Sequence, residues 1–212
     1  MHSAESFRCA RQAPRLATSW SLGVQALPAN LSVLSLVSMA GPQLGQWGMC
    51  AQGKDGLNSS IVRSATREAG WAIFYNAIAQ DTISVANYWN DPNHAELFIK
   101  ESHFLPLVNN LVAHPDAAVY KANFLRLKRA VFLGSSGDDC INPQLSTVFQ
   151  FVDGAGKAVS MNQSVVYTAD TFGLRSIEAR GDLVVASPPG YRHNAWYDTR
   201  KLFDSFIAPN LL

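Results

Sequence analysis

Leu31 to Met39 is apolar or Ser at every position, and Ala40-Gly41-Pro42 closes the run. A continuous apolar stretch bounded by Gly and Pro predicts a strand covered on both faces, as in a parallel sheet. Leu44 to Asp55 carries Gly45, Gly48 and Gly53 and reads as loop. From Arg67 to Tyr88 the apolar residues Trp71, Phe74, Tyr75, Ile78, Ile83 and Val85 recur at helical spacing, which predicts one or two helices with an apolar face. Tyr88-Trp89-Asn90-Asp91-Pro92 ends that pattern, because the residue before Pro is biased away from helix. Glu96 to Asn110 is again apolar, with His103 inside it. Pro115 to Arg129 reads as helix, with Ala117, Tyr120, Phe124 and Leu127 on one side.

Shorter elements follow. Ala130 to Leu133 predicts a strand, and Gly134-Ser135-Ser136-Gly137 a turn leading to Asp138. Val148 to Val152 and Ala158 to Ser160, around Asp153-Gly154-Ala155-Gly156, predict a hairpin. Asp182 to Ala186 is the last expected strand, and Trp196 to Ile207 a final amphipathic helix. Strands alternating with long helical stretches imply an α/β class with a mainly parallel sheet.

The chain has 212 residues, 48% hydrophobic and 16% charged, which suits a globular domain with a sizeable core. A formal net charge of +1 gives no electrostatic footprint for nucleic acid, and no apolar run is long enough to span a bilayer. The cysteines Cys9, Cys50 and Cys140 match no metal spacing, so no metal is expected, and no cofactor is expected either. Sequons stand at Asn30, Asn58 and Asn162. Asn58 and Asn162 fall in loop-like sequence and are the glycosylation candidates; Asn30 abuts the first strand. Met1 to Ala26 carries Arg8, Arg11 and Arg15 but no continuous apolar core, which makes it a poor signal peptide.

The chemistry gathers at two positions. Asp138 stands just past the strand 130–133, and His193 stands past the strand 182–186 on a Pro-Gly-containing loop. An acid followed by a base, each beyond a strand end, is the order in which an α/β-hydrolase supplies those members of its triad. The alternative for each is ordinary: an Asp in a Gly/Ser turn commonly makes an Asx-turn, and a loop His is commonly solvated. Asp139 competes with Asp138 for the acid role. No Gly-x-Ser-x-Gly elbow precedes the pair. Gly134-Ser135-Ser136-Gly137 is too short to be one, and Ser38 lacks the glycine two positions earlier. Cys140 reads as a packed thiol rather than a nucleophile.

Several motifs around these positions resemble one family, the palmitoyl-protein thioesterases. Asp138-x-x-Ile141-x-Pro143 is similar to that family's acid loop. Ser38-Met39-Ala40-Gly41-Pro42-Gln43-Leu44-Gly45 resembles its Gly-rich stretch after a core strand. Tyr88-Trp89-Asn90-Asp91-Pro92, then Phe104-Leu105 and Asn109, is similar to its Tyr-Trp-x-Asp-Pro region. Tyr167-Thr168-x-Asp170-x-x-Gly173-Leu174 and the closing His193, Trp196 and Phe206-Ile207-x-Pro209 complete the resemblance, which runs in order from about Leu27 to the C-terminus.

The resemblance implies part of an α/β-hydrolase fold, the C-terminal part of a mainly parallel sheet, carrying a mainly helical insertion. Residues 27–45 and 125–212 would form the core, 46–124 the insertion that shapes an acyl groove, and 1–26 a poorly ordered segment outside the family pattern. It implies hydrolysis of the thioester in S-palmitoylated proteins or peptides, with His193 as base and Asp138 as its orienting acid. Gln43, Trp71, Trp89 and Phe104 would be groove residues, although large apolar side chains in such an insertion are mostly core. It also implies a lysosomal or secretory location. Complete members have further strands and the nucleophilic Ser before the first strand seen here, so the sequence reads as N-terminally truncated. Taken alone it is expected to be inactive, with a non-catalytic binder of acyl chains or partner proteins as the alternative.

Overall fold

The computed structural model describes residues 24–25, 27–28, 31, 33–50, 60–196 and 199–212. Its centre is a sheet of three parallel strands in the order β1 (Ser35–Met39), β2 (Arg129–Leu133) and β5 (Leu183–Ala186). Ser35 pairs with Arg129 and Met39 with Leu133, while Ala130 pairs with Leu183 and Leu133 with Ala186. This register brings the carboxyl ends of all three strands to one edge. A two-stranded antiparallel hairpin, β3 (Phe151–Val152) with β4 (Ala158–Val159), lies outside that sheet.

β2 shows why a central strand can be apolar throughout. Ala130 and Phe132 join one apolar cluster, Val131 and Leu133 another, and all four are fully buried. The first cluster holds the helical layer, including Trp89, Phe124, Phe149 and Phe172. The second is smaller and is built with Trp196 and Leu202. β1 behaves differently from the sequence expectation: it spans Ser35–Met39 rather than 31–39, and its residues alternate in burial instead of being covered on both faces. Leu31 and Leu34 are exposed. Among the described residues β1 pairs with β2 alone, so it receives less cover than a central strand.

Between β1 and β2 the chain is helical, as Ser60–Phe74, Ala77–Thr82, Ala95–Glu101, Leu105–Val108 and Ala117–Leu125. The second of these begins where Asn76 caps it, its side chain accepting from the Ala79 N–H at 3.0 Å. A 3₁₀ turn, Ser84–Tyr88, then delivers Trp89 into the core. The expected C-terminal helix from Trp196 is broken up: His193–Ala195 is a 3₁₀ turn, Thr199 is extended, and regular helix covers only Arg200–Leu202 before a wider turn, Phe203–Ile207. Among the described residues no helix is long and apolar enough to cross a membrane. The segment 1–23 and the sequons at Asn30 and Asn58 lie outside the described residues.

Candidate active site

The two loops that leave the carboxyl ends of β2 and β5 meet at the edge of the sheet. In open α/β sheets this edge is where ligands bind. Gly134 extends the β2–β5 ladder by donating its N–H to the Ala186 carbonyl at 3.0 Å. Ser135, buried, then staples the loops: its Oγ accepts from Gly137 N–H at 3.1 Å and from Tyr191 N–H at 3.0 Å. At Gly137 the loops touch so closely that a Cβ there would lie 2.8 Å from the Gly190 carbonyl carbon.

Asp138 and His193 are thereby brought together. His193 Nδ1 stands 3.0 Å from Asp138 Oδ2, with the Asp138 side chain fully buried and that of His193 25% exposed. The other carboxylate oxygen, Oδ1, accepts from the Cys140 and Ile141 N–H groups, both at 2.9 Å. Asp138 is therefore an Asx-turn residue and a histidine partner at once, so the two readings of it are compatible. With Asp138 ionised, the short contact requires the proton on Nδ1, which leaves Nε2 as a lone-pair acceptor. The imidazole pKa is raised above its ordinary 6.5, chiefly by the hydrogen bond to Asp138; burial opposes this, and the charges of Asp138 and Asp139 add to it.

The acid loop is also held from behind by the segment after β1. Trp47 N–H donates to the Asn142 carbonyl at 2.6 Å, and Arg67 Nη2 to Asn142 Oδ1 at 3.2 Å. Gly48 leaves room for this approach, because a Cβ there would lie 2.3 Å from Asn142 Nδ2. A disulfide joins Cys50 to Cys140, across 90 residues of sequence. Cys140 is thus bonded, correcting the expectation of a packed free thiol. Cysteine number and spacing carry no pairing signal at such a separation. Ser135 was equally hard to single out, since a Ser in a Gly-rich turn commonly bonds only its own turn.

The remaining candidates sit as follows. Ser38 is buried in β1 with its Oγ accepting from Gln43 Nε2 at 2.7 Å. Gln43 is itself buried past the end of β1, and its carbonyl accepts from Asn109 Nδ2 at 3.0 Å. Trp71 is partly buried and stacks on His94, ring centroids 4.5 Å apart. Trp89 is fully enclosed, packing on Phe74 and against Gly70, and Phe104 is likewise a core residue. Asn162 is exposed in the 3₁₀ turn Met161–Gln163, with its Oδ1 accepting from Ser160 Oγ at 2.6 Å.

Known proteins match this chain along most of its length. The family described as palmitoyl protein thioesterase matches residues 23–193. The chain is similar to lysosomal thioesterase PPT2 of Bos taurus, 35% identical over 178 residues, which cover 84% of this chain and 56% of the relative. The Homo sapiens protein of that name is 35% identical over 178 residues, 84% of this chain and 57% of the relative. The Drosophila melanogaster homolog is 30% identical over 188 residues, 89% of this chain and 62% of the relative. The chain therefore spans between half and two thirds of the length of these relatives. On the family match and the agreeing motifs, this chain belongs to the palmitoyl protein thioesterase family.

Proposed function

We propose that this chain supplies the acid and base of a thioesterase site acting on S-palmitoylated cysteine. The observation that carries the reading is the buried Asp138 carboxylate 3.0 Å from His193 Nδ1 at the carboxyl edge of a parallel sheet. In the reaction a Ser hydroxyl attacks the thioester carbonyl while His193 Nε2 takes its proton, and that proton then passes to the leaving cysteine sulfur. Water cleaves the resulting acyl-serine with His193 again as base, releasing the fatty acid. Asp138 fixes the Nδ1–H tautomer and stabilises the imidazolium as it forms.

The sequence contains no Gly-x-Ser-x-Gly elbow, so the 212 residues are expected to be inactive alone. Gln43 and the partly exposed Trp71 are the residues we assign to the acyl groove, with Trp89 and Phe104 backing them from the core. Division into a core of 27–45 and 125–212 and an acyl-groove insertion of 46–124 belongs to the same reading. A lysosomal location is supported by the names of the relatives and by the Cys50–Cys140 disulfide, which suits a chain that passes through an oxidising compartment. Asn162, exposed, is the proposed glycan acceptor.

The test joins this chain to the part of the Bos taurus relative that it does not cover and measures turnover of a palmitoyl-thioester peptide. The hybrid is expected to hydrolyse it, and His193→Ala to lower kcat/KM by about 10³-fold or more. A hybrid that stays folded and fully active with His193→Ala contradicts the proposal. Saturable binding of the palmitoyl group without turnover in the hybrid favours the acyl-binding alternative.

A further inference from the structure

Asp139 is left over when Asp138 is assigned the acid role, yet its carboxylate holds two consecutive residues of the opposite loop. Oδ1 accepts from the His193 backbone N–H at 3.2 Å. Oδ2 accepts from Arg192, Nε at 2.8 Å and Nη2 at 2.6 Å. The Arg192 side chain is 74% exposed and that of Asp139 only 20%. An ion pair with one partner so exposed contributes little by itself. The bond to the His193 main chain is different in kind, because it acts on the residue whose side chain must meet Asp138.

We propose that Asp139 is a positioning residue, a latch that holds the His193 main chain so that the imidazole stays in register with Asp138. Two loops that share one side-chain contact can still pivot about it. Asp138 is fixed on its own side by the Cys140 and Ile141 N–H groups, and the His193 loop is fixed at Tyr191 by Ser135 Oγ. Between Tyr191 and the imidazole the remaining freedom lies in the backbone of Arg192 and His193. The Asp139 carboxylate restrains it directly at the His193 N–H, and through the side chain at Arg192. Arg192 neutralises the carboxylate and holds its plane, so that Oδ1 stays turned toward the His193 N–H.

The latch rests on the acid–base reading of Asp138 and His193, but its test does not pass through turnover. The charged groups acting on the imidazole are Asp138 and Asp139 from the acid loop, and Arg192 pairs with Asp139 rather than with the ring. In the full 212-residue chain, the His193 ring is followed by ¹⁵N-edited NMR titration, with His193→Gln identifying its signals. Asp139→Ala is expected to lower the His193 pKa and to speed solvent exchange of Nδ1–H about five- to tenfold, the factor for losing one hydrogen bond that holds the loop. Asp139→Asn keeps an oxygen for the His193 N–H and is expected to retain most of the exchange protection while still lowering the pKa. Loss of the Asp139 charge lowers the pKa in any case, so the exchange rate decides: a merely structural role would lower the melting temperature and leave Nδ1–H exchange unchanged, and that result overturns the proposal. If Asp139→Ala does not fold, Asp139→Leu, which keeps the side-chain shape without an acceptor, takes its place. Faster Nδ1–H exchange in Asp139→Leu than in Asp139→Asn supports the latch, and equal exchange in the two overturns it.

Discussion

At the scale of single residues, the site is an arrangement of acceptors around one imidazole. Asp138 spends one oxygen on two N–H groups of its own loop and the other on His193, so its fully buried side chain is fixed in direction. The pKa of His193, raised chiefly by Asp138, has a consequence for stability as well as chemistry. The folded chain binds this proton more tightly than the unfolded one, so the stabilisation is complete below about pH 6.5 and fades as pH rises through the folded value. Thermal denaturation across about pH 6 to pH 8 is expected to show the wild type losing its advantage over His193→Gln as pH rises. An advantage that grows with pH would contradict the assigned partner. The meeting of Asp138 with His193 was legible in the sequence because each follows an apolar run and Asp138-x-x-Ile141-x-Pro143 marks its loop. Asp139 looked like a competitor for the same role, since adjacent carboxylates are indistinguishable until the loop's direction is known.

At the scale of elements, parallel pairing determines what the loops can do. β1, β2 and β5 end together, and the two active loops then cross at Gly137 and Gly190. The atoms facing a Cβ at Gly137 are the Gly190 carbonyl carbon at 2.8 Å and the Tyr191 nitrogen at 3.0 Å. Backbone cannot swing aside as a side chain can, so Gly137→Ala must part the loops. It is expected to cost about 1–3 kcal/mol in denaturant unfolding and to weaken the Asp138–His193 contact, seen as a fall in the His193 pKa by NMR. A variant with wild-type stability and titration would show that the loops do not rely on this approach. The strands were readable because β2 and β5 carry short apolar runs bounded by turn residues. The extent of β1 was not, because Leu31 and Leu34 are apolar yet exposed, and hydrophobicity alone cannot tell an edge strand from a central one. The helix expected from Trp196 failed for another reason. Trp196 is buried against the sheet as a loop residue, so its apolar character reflects packing rather than helical periodicity.

At the scale of the whole molecule, the helical stretch between β1 and β2 and the sheet form one apolar body, with Trp89 and Phe132 in the same cluster. The Cys50–Cys140 bond ties the segment after β1 to the acid loop and closes a ring of about 90 residues. Closing a ring of that size restricts the unfolded chain by about 4–5 kcal/mol in the loop-entropy picture, with measured losses on removing native disulfides of about 2–5 kcal/mol. Cys140→Ser is therefore expected to lower stability by an amount in that range, checked by urea unfolding of the oxidised wild type against the variant. A variant as stable as the wild type would show that the bond does not cross-link the folded chain. No spacing rule foretold this bond, because its two ends meet only once the sheet has formed.

The central claim is that Asp138 is the acid that orients His193 in a thioesterase site. It is tested most directly by the kcat/KM of the hybrid enzyme on a palmitoyl-thioester peptide, comparing Asp138→Asn with Asp139→Asn. A loss of about 10³- to 10⁴-fold for Asp138→Asn, against no more than about tenfold for Asp139→Asn, is the expected result. Equal losses, or the larger loss at Asp139, would contradict it.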